Sequence, residues 1–427
     1  MTSESGDHYS KRLPLRRRLR LSKRQAALGA LALFALVIAG AYTQKDRYTD
    51  RLAGLSRHLL GDEKTARIEG WYFSIQDGTD QLKYRVFGGS INPFAKDNAL
   101  VVPSARPPGQ AAAMDSRLPA VWFDSSEAFE APAVYKPPKP APLTLPETRP
   151  LRAGPEPGEG VWTTAGLPRS SPDDVLMAKT FIRPDTARPY ALAGVLLLDK
   201  RRIQLHITGG TEDPGGDRGV RGPGVIPEGD RNRLLAAWNG GFRGPHGGFG
   251  MYADGKQYRP LRNGLASVAV AKDGTIKMGE WGRDLSWSAD LVAVRQNAVL
   301  LVDNCEVSKR TNEGNNTWGY VQVNSAEFIT WRSAIGLTRE GDLLVAAGNS
   351  LSAASLARAL WAAGACYAME LDINTPYVLA SLYFPQEDGS LKRAKFMDSM
   401  VDGSNRFFTT QPRDFMYATL NESNYKP

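Results

Sequence analysis

Residues 331–378 constrain the fold more than any other stretch of the chain. They read as strand, turn, strand, helix, strand. Residues 343–347 form a short apolar run that Gly348 and Asn349 stop. Ser352 is placed to cap a helix, because its hydroxyl can accept from the first backbone N–H groups, which lack intrahelical partners. Leu356 and Leu360 recur at helical spacing with Ala359 and Ala363 beside them, and Gly364 offers the left-handed residue on which helices often end. Residues 366–372 then alternate. Tyr367, Met369, Leu371 and Ile373 point one way, and Ala368, Glu370 and Asp372 the other, since strand side chains have period two. This order predicts a βαβ unit with parallel strands and a right-handed crossover. Ligands in such sheets gather beyond the carboxyl ends of the strands, where Glu370 and Asp372 stand. Two residues along a strand separate Cα atoms by roughly 6.6–6.8 Å, close to the about 5–9.5 Å between the carboxyl groups of glycosidases.

The rest of the 427 residues can fold around this unit, with 42% hydrophobic and 23% charged side chains. The net charge of +8 is concentrated in Lys11, Arg12, Arg16, Arg17, Arg18, Arg20, Lys23 and Arg24. The folded part therefore lacks the basic surface expected of a nucleic-acid-binding protein. The basic run precedes an apolar, uncharged segment at residues 26–43, about the minimum span of a membrane helix. Basic residues are denser before it than after it, which puts the N-terminus in the cytoplasm and the remainder outside the cell as a single-pass membrane protein. Ala39-Gly40-Ala41 offers the rival reading of a cleaved signal peptide. Cys305 and Cys366 can form a disulfide in such a compartment or remain two separate buried thiols. His8, His58, His206 and His246 are scattered, and neither HExxH nor zinc-finger spacing occurs. No metal and no cofactor is expected.

Five regions follow. Residues 1–25 form a basic cytoplasmic tail and 26–43 the transmembrane anchor. Residues 44–130 form a small juxtamembrane region, with a short amphipathic helix at 49–60 and a β element at 67–87 around the turn signal Gln76-Asp77-Gly78. Residues 131–159 are proline-dense and read as an extended linker. The main domain occupies 160–427. Within it, 191–198 and 202–208 suggest a hairpin across Asp199-Lys200, and 266–271 with 275–278 suggest another across Lys272-Asp273-Gly274. Residues 209–229 read as a long glycine-rich surface loop. Residues 234–238, 291–294 and 299–302 read as further strands, and Phe407 and Phe408 as buried. The fold class is α+β, a mixed sheet with few helices.

Three places could carry chemistry. Glycine lets backbone N–H groups approach a ligand closely, so Asn239, Gly240 and Gly241, followed by a loop with His246, could hold a phosphate or a sugar hydroxyl. Arg332 has the planar fork that suits phosphate. Glu370 and Asp372 are two carboxylates close enough to push one pKa upward, which would leave one proton donor and one ionised group. For each there is a plainer reading: a turn, a surface arginine, a polar strand face.

The blocks Asn239-Gly240-Gly241-Phe242, Arg332-Ser333-Ala334-Ile335-Gly336 and Ala368-Met369-Glu370-Leu371-Asp372, in this order, resemble the phosphodiester glycosidase family over residues 160–427. The family's corresponding segments are N-G-G-F-F-like, R-T-A-I-G-like and A-L-N-L-D-G-G-G-S-S-like. The resemblance implies a hydrolase of sugar phosphodiesters in surface glycan. Asp372 would be the catalytic carboxylate and Glu370 its partner, Arg332 would hold the phosphate, and Asn239 with the glycine amides would orient the sugar. The chain departs from the family pattern at Glu370 and at Ile373-Asn374-Thr375-Pro376, which replaces the glycine-rich ending. That departure motivates a second expectation, a non-catalytic surface module binding polysaccharide or a cell-wall partner.

Overall fold

Apolar runs that continue through both strand faces become the interior of a seven-stranded sheet. A computed structural model describes residues 62–88, 92–94, 142–149, 151–168, 175–319, 328–375, 377–386 and 388–421, all within the second of two units, Ala53–Pro427. The sheet runs β1 (Met177–Ile182), β2 (Ala193–Leu198), β13 (Leu343–Leu351), β12 (Thr330–Thr338), β14 (Ala365–Ile373), β10 (Leu300–Asp303), β11 (Glu306–Val307). Strands β2 and β12 are buried along their whole length. One face packs on two smaller sheets through Ile335, Val345, Met369 and Leu371. The first of these runs β16 (Leu391–Lys395), β15 (Ala380–Pro385), β4 (Leu234–Asn239), β17 (Phe415–Leu420), β3 (Ile203–Thr208). The second runs β6 (Lys256–Arg259), β5 (Met251–Ala253), β9 (Leu291–Gln296), β7 (Ala266–Ala271), β8 (Ile276–Glu280).

The other face is covered by the helix Ala353–Ala362. Ser352 and Ser355 cap it reciprocally: Ser355 N donates to Ser352 Oγ at 3.1 Å and Ser352 N to Ser355 Oγ at 2.8 Å. Leu356 and Leu360 are fully buried, each contributing about 1.5–3 kcal/mol of apolar transfer. Gly364 ends the helix at φ +97°, where a Cβ would press on Pro146. The α+β class with few helices therefore holds for the described residues. The sequence order strand, helix, strand also holds, and β13 and β14 are parallel. They are not neighbours, however, because antiparallel β12 lies between them.

Three expectations are corrected. Residues 67–87 lie in the helix Asp62–Phe87, not in a β element. Gly78 costs a helix about 1 kcal/mol relative to alanine, and docking offsets it. Asp77 accepts from Tyr190 Oη at 2.8 Å and Arg188 Nε at 3.2 Å, while Phe73 packs edge-on to Phe328. Residues 142–149 and 151–159 are a strap on the domain, not a linker; 131–141 and 150 lie outside the described residues. Leu143 and Leu145 are buried, Trp162 Nε1 donates to the Pro146 carbonyl at 2.8 Å, and Arg149 N donates to Ala362 O at 2.9 Å. Proline lacks a donor, but its carbonyl accepts and its ring suits extended chain. Finally, β2 and β3 do not form a hairpin. Both edges of β2 are taken by β1 and β13, so the chain crosses at Asp199 into another sheet, where β3 pairs with β17. The hairpin of β7 and β8 is present as read.

The segments at 1–25, 26–43 and 49–60 lie outside the described residues. Among the described residues, no helix is long and apolar enough to cross a membrane.

Candidate functional site

The carboxyl end of β14 meets the carboxyl end of β4 where the large sheet adjoins the five-stranded one. A β-bulge creates the junction. On β12, Arg332 pairs with Ile373 and Ala334 with Glu370, so Ser333 alone faces both Leu371 and Asp372. Bulges of this kind re-aim side chains and interrupt the ladder. Asp372 N, released from β12, donates instead to Gly240 O at 2.9 Å, and Ser333 Oγ donates to Asp372 O at 2.8 Å.

Asn239 completes the join. Its Nδ2 donates to Ser333 Oγ at 2.9 Å and to Gly240 O at 3.0 Å, and its Oδ1 accepts from Leu379 N at 3.0 Å. Asn239, Ser333 and Asp372, from three separate sequence blocks, thus belong to one hydrogen-bonded cluster. Gly240 and Gly241 are required by close packing. A Cβ at Gly240 would run into the Asp414 carboxylate, and one at Gly241 would lie 2.8 Å from Arg295 Nη2. The backbone donors of this segment are engaged internally: Gly240 N with Asp414 O at 3.0 Å, Gly241 N with Asp414 Oδ2 at 3.1 Å, Phe242 N with Asn297 Oδ1 at 3.1 Å. His246 sits on the loop beyond, its N donating to Arg243 O at 2.9 Å. That loop is tied through Arg243 Nε and Gly244 N to the Asp213 carboxylate.

Three carboxylates gather here, each with its own arginine. Glu370 pairs with Arg332, both side chains essentially inaccessible at 0% and 2% exposure. The Arg332 guanidinium also donates to Leu351 O, Trp318 O and Phe328 O at 3.1, 2.8 and 2.8 Å. Asp414 pairs with Arg295 at 2.8 Å, again sealed, and Arg295 Nη2 donates to Phe242 O at 2.7 Å. Asp372 pairs with Arg413, and this pair is more open, with 10% and 22% side-chain exposure. The Arg413 guanidinium lies 3.5 Å over the Tyr377 ring centroid.

Burial dominates the electrostatics. It pushes the Glu370 carboxyl up to about 7, outweighing the opposing pull of Arg332, and nearby Asp372 adds to the rise. One Glu370 oxygen, Oε2, is buried without a hydrogen-bond partner, which also favours the protonated form. Burial raises the Asp372 carboxyl as well. Arg413 and the Ile373 N–H oppose the rise and Asp414 reinforces it. After Asp372 the chain turns on Asn374, at φ +73°, a conformation that asparagine tolerates better than most residues. Asn374 Oδ1 accepts from Thr330 Oγ1 at 2.8 Å.

Arg413, Asp414, Arg295 and Asn297 escaped the sequence reading. Arg295-Gln296-Asn297 interrupts an apolar strand run, and polar residues so placed are a signal, since a buried charge must be paired. Arg413-Asp414 before the apolar run of β17 is the same signal.

No family model matches the chain, and no curated protein matches it. Among solved structures it is similar to the zebrafish N-acetylglucosamine-1-phosphodiester alpha-N-acetylglucosaminidase catalytic domain auto-inhibited by pro-peptide. That likeness has a TM-score of 0.36 and 16% identity over 60% of this chain and 87% of that one. A hypothetical protein from Synechocystis gives 0.32 and 11% identity, over 57% and 62%. A putative exported protein from Burkholderia pseudomallei gives 0.26 and 11%, over 54% and 74%. At these values none of the likenesses carries functional weight.

Proposed function

We propose that residues 142–421 form an extracytoplasmic glycosidase domain, anchored through residues 26–43, that hydrolyses a sugar phosphodiester or related glycosidic linkage in surface glycan. The observation that carries this reading is the cluster of Asn239, Ser333 and Asp372 around one partly accessible carboxylate. Asp372 acts on the anomeric centre, and Asn239 sets its position through Ser333 and Gly240. Glu370 and Arg332 serve as the sealed support beneath β14 instead of touching substrate. The Cys305–Cys366 disulfide suits an oxidising compartment outside the cytoplasm.

The engaged amides of Gly240, Gly241 and Phe242 favour a second reading, a polysaccharide-binding module without turnover. A panel of sugar 1-phosphodiesters offered to the full chain separates the two. Release of reducing sugar, lost in Asp372→Asn, supports the hydrolase. Saturable binding without release from any member supports the module.

A further inference from the structure

Outside the Asp372 cluster, one aromatic ring gathers two arginines. Arg231, on the short helical turn Glu228–Arg233, and Arg393, on β16, both lie over the Phe408 ring, 5.2 and 4.5 Å from its centroid. The two guanidinium groups are therefore no more than about 10 Å apart. Arg393 is exposed, and the Arg231 side chain is 37% exposed. The ring between them is fixed. Phe408 packs edge-on to Tyr383 at 5.3 Å, Tyr383 Oη donates to Ser404 O at 3.1 Å, and Ile226 N donates to Phe407 O at 2.9 Å. The quadrupole of the ring attracts both cations and offsets part of their mutual repulsion.

Carboxylates do not balance these cations. Arg393 Nη1 donates to Asn405 Oδ1, a neutral acceptor, and among the described residues its Nε and Nη2 donate to no protein group. Arg231 meets Glu228 at 3.7 Å, an acid whose side chain is 91% exposed, and pairs that open contribute little. Arg231 Nε is buried with no hydrogen-bond partner. The neighbouring acids are engaged elsewhere: Asp230 with Arg233 Nη2 at 2.9 Å and Tyr417 Oη at 2.7 Å, and Asp402 with Ser404 N at 3.0 Å. The arginines also share a sheet face with the Asn239 cluster. Arg393 pairs with Tyr383, and Ser381 with Ala237. Residues two apart on a strand share a face, so Arg393, Tyr383, Ser381, Ala237 and Asn239 face one side. Leu382 pairs with Ala236, which sets Tyr383 about 10–14 Å from Asn239 along the strand direction.

We propose that Arg231 and Arg393 form an anion subsite for an acidic group, phosphate or carboxylate, carried by the glycan chain that reaches Asp372. That the acid belongs to a glycan rests on the function proposed above; that the ligand is an anion rests on the unbalanced charge. An oxyanion presents two oxygens in one plane, the shape that guanidinium donors match. The shared sheet face favours a glycan over an acidic peptide, because a chain held at Asn239 and Asp372 need extend only a few sugar rings to reach Phe408. No bond forms or breaks at the subsite. It adds affinity and sets the register of the chain.

The test is calorimetric titration of the full chain with dextran phosphate, carboxymethyl dextran and neutral dextran, which differ only in the acid, and with polyglutamate as a peptide polyanion. The wild type is compared with Arg231→Gln, Arg393→Gln, their double variant and Lys392→Gln, with thermal unfolding as the check on folding. Lys392 is the adjacent cation on the opposite face of β16. Each arginine variant should weaken binding of an acidic dextran by about 5–10-fold, and the double variant by about 30-fold or more. Lys392→Gln should change it by less than about 2-fold, and wild-type affinity should fall several-fold as salt rises from about 20 to about 200 mM. Tighter binding of dextran phosphate identifies the acid as phosphate, and tighter binding of carboxymethyl dextran identifies it as carboxylate. Absence of binding to both acidic dextrans, equal affinity in the double variant, or a loss in Lys392→Gln as large as in Arg393→Gln overturns the proposal. So does neutral dextran or polyglutamate bound as tightly as either acidic dextran. Arginine-dependent glycan binding without turnover of any sugar phosphodiester would leave the subsite standing and remove the glycosidase reading. Turnover without arginine-dependent binding would do the reverse.

Discussion

The Arg332–Glu370 and Arg413–Asp372 pairs use the same chemistry, with their carboxylates two residues apart on one strand, yet their surroundings differ. Both side chains of the first are sealed from solvent, and Arg332 also ties Leu351, Trp318 and Phe328. The second sits in a bulge, where Asp372 is released from the ladder and the pair reaches solvent. The difference teaches that accessibility, not residue type, separates the two ion pairs. In low dielectric, breaking one half of a sealed pair strands the other half. Near solvent, water replaces the lost partner.

That contrast can be broken most forcefully at the sealed end. Arg332→Met should lower unfolding stability by about 3–5 kcal/mol, the range for removing one partner of a buried pair, read by denaturant unfolding. A loss of under about 1 kcal/mol would place Arg332 outside the support. Glu370 gives the next effect, about 3 kcal/mol for a carboxyl moved from 4.5 to about 7. Its folded-state affinity for a proton is raised, so its contribution is fully present below about pH 4.5 and is lost as pH rises through about 7. Glu370→Gln should remove that decline, flattening the stability profile between these values. An unchanged slope would show that Glu370 does not titrate there.

Gly241→Ala should cost about 1–3 kcal/mol, the usual scale of forced overpacking, because its Cβ would press on the Arg295 guanidinium. At the open end the effect on stability is smallest. Arg413→Gln should change it by about 1 kcal/mol or less, measured in the same unfolding experiment. A loss as large as that of Arg332→Met would erase the distinction between the two pairs.

Much of the scaffold was legible because local signals and tertiary structure agree. Ser352, Leu356, Leu360 and Gly364 mark a helix that is present, and the alternation at 366–372 marks a strand that is present. Pairing was less legible. The hydrophobic pattern of β13 and β14 says that both are buried, not that β12 lies between them. The helix at 62–87 was missed because Gln76-Asp77-Gly78 is a turn signal only when nothing docks against it, and Asp77 is held by Arg188 and Tyr190, more than 100 residues away in sequence. Proline at 142, 146, 155 and 157 argued correctly against helix and ladder but not against a strap, whose carbonyls still accept. In the site, motifs led to Asn239 and Asp372, and to Arg332 in place of its neighbour Ser333, which makes the hydrogen bonds of the cluster. Arg295 arrives from β9 and Arg413 and Asp414 from the segment just before β17, and no spacing rule connects them.

The account's central claim is that function resides in the open pair and support in the sealed one. The most direct measurement is turnover of a sugar 1-phosphodiester by Asp372→Asn and Glu370→Gln side by side, with melting temperatures on the same samples. The account predicts a loss of about 1,000-fold or more in Asp372→Asn, about 4 kcal/mol of barrier, with melting little changed. It predicts that Glu370→Gln shifts melting and its pH dependence while turnover stays within about 10-fold of wild type. Near-normal turnover in Asp372→Asn, or its abolition in a fully folded Glu370→Gln, would contradict the claim.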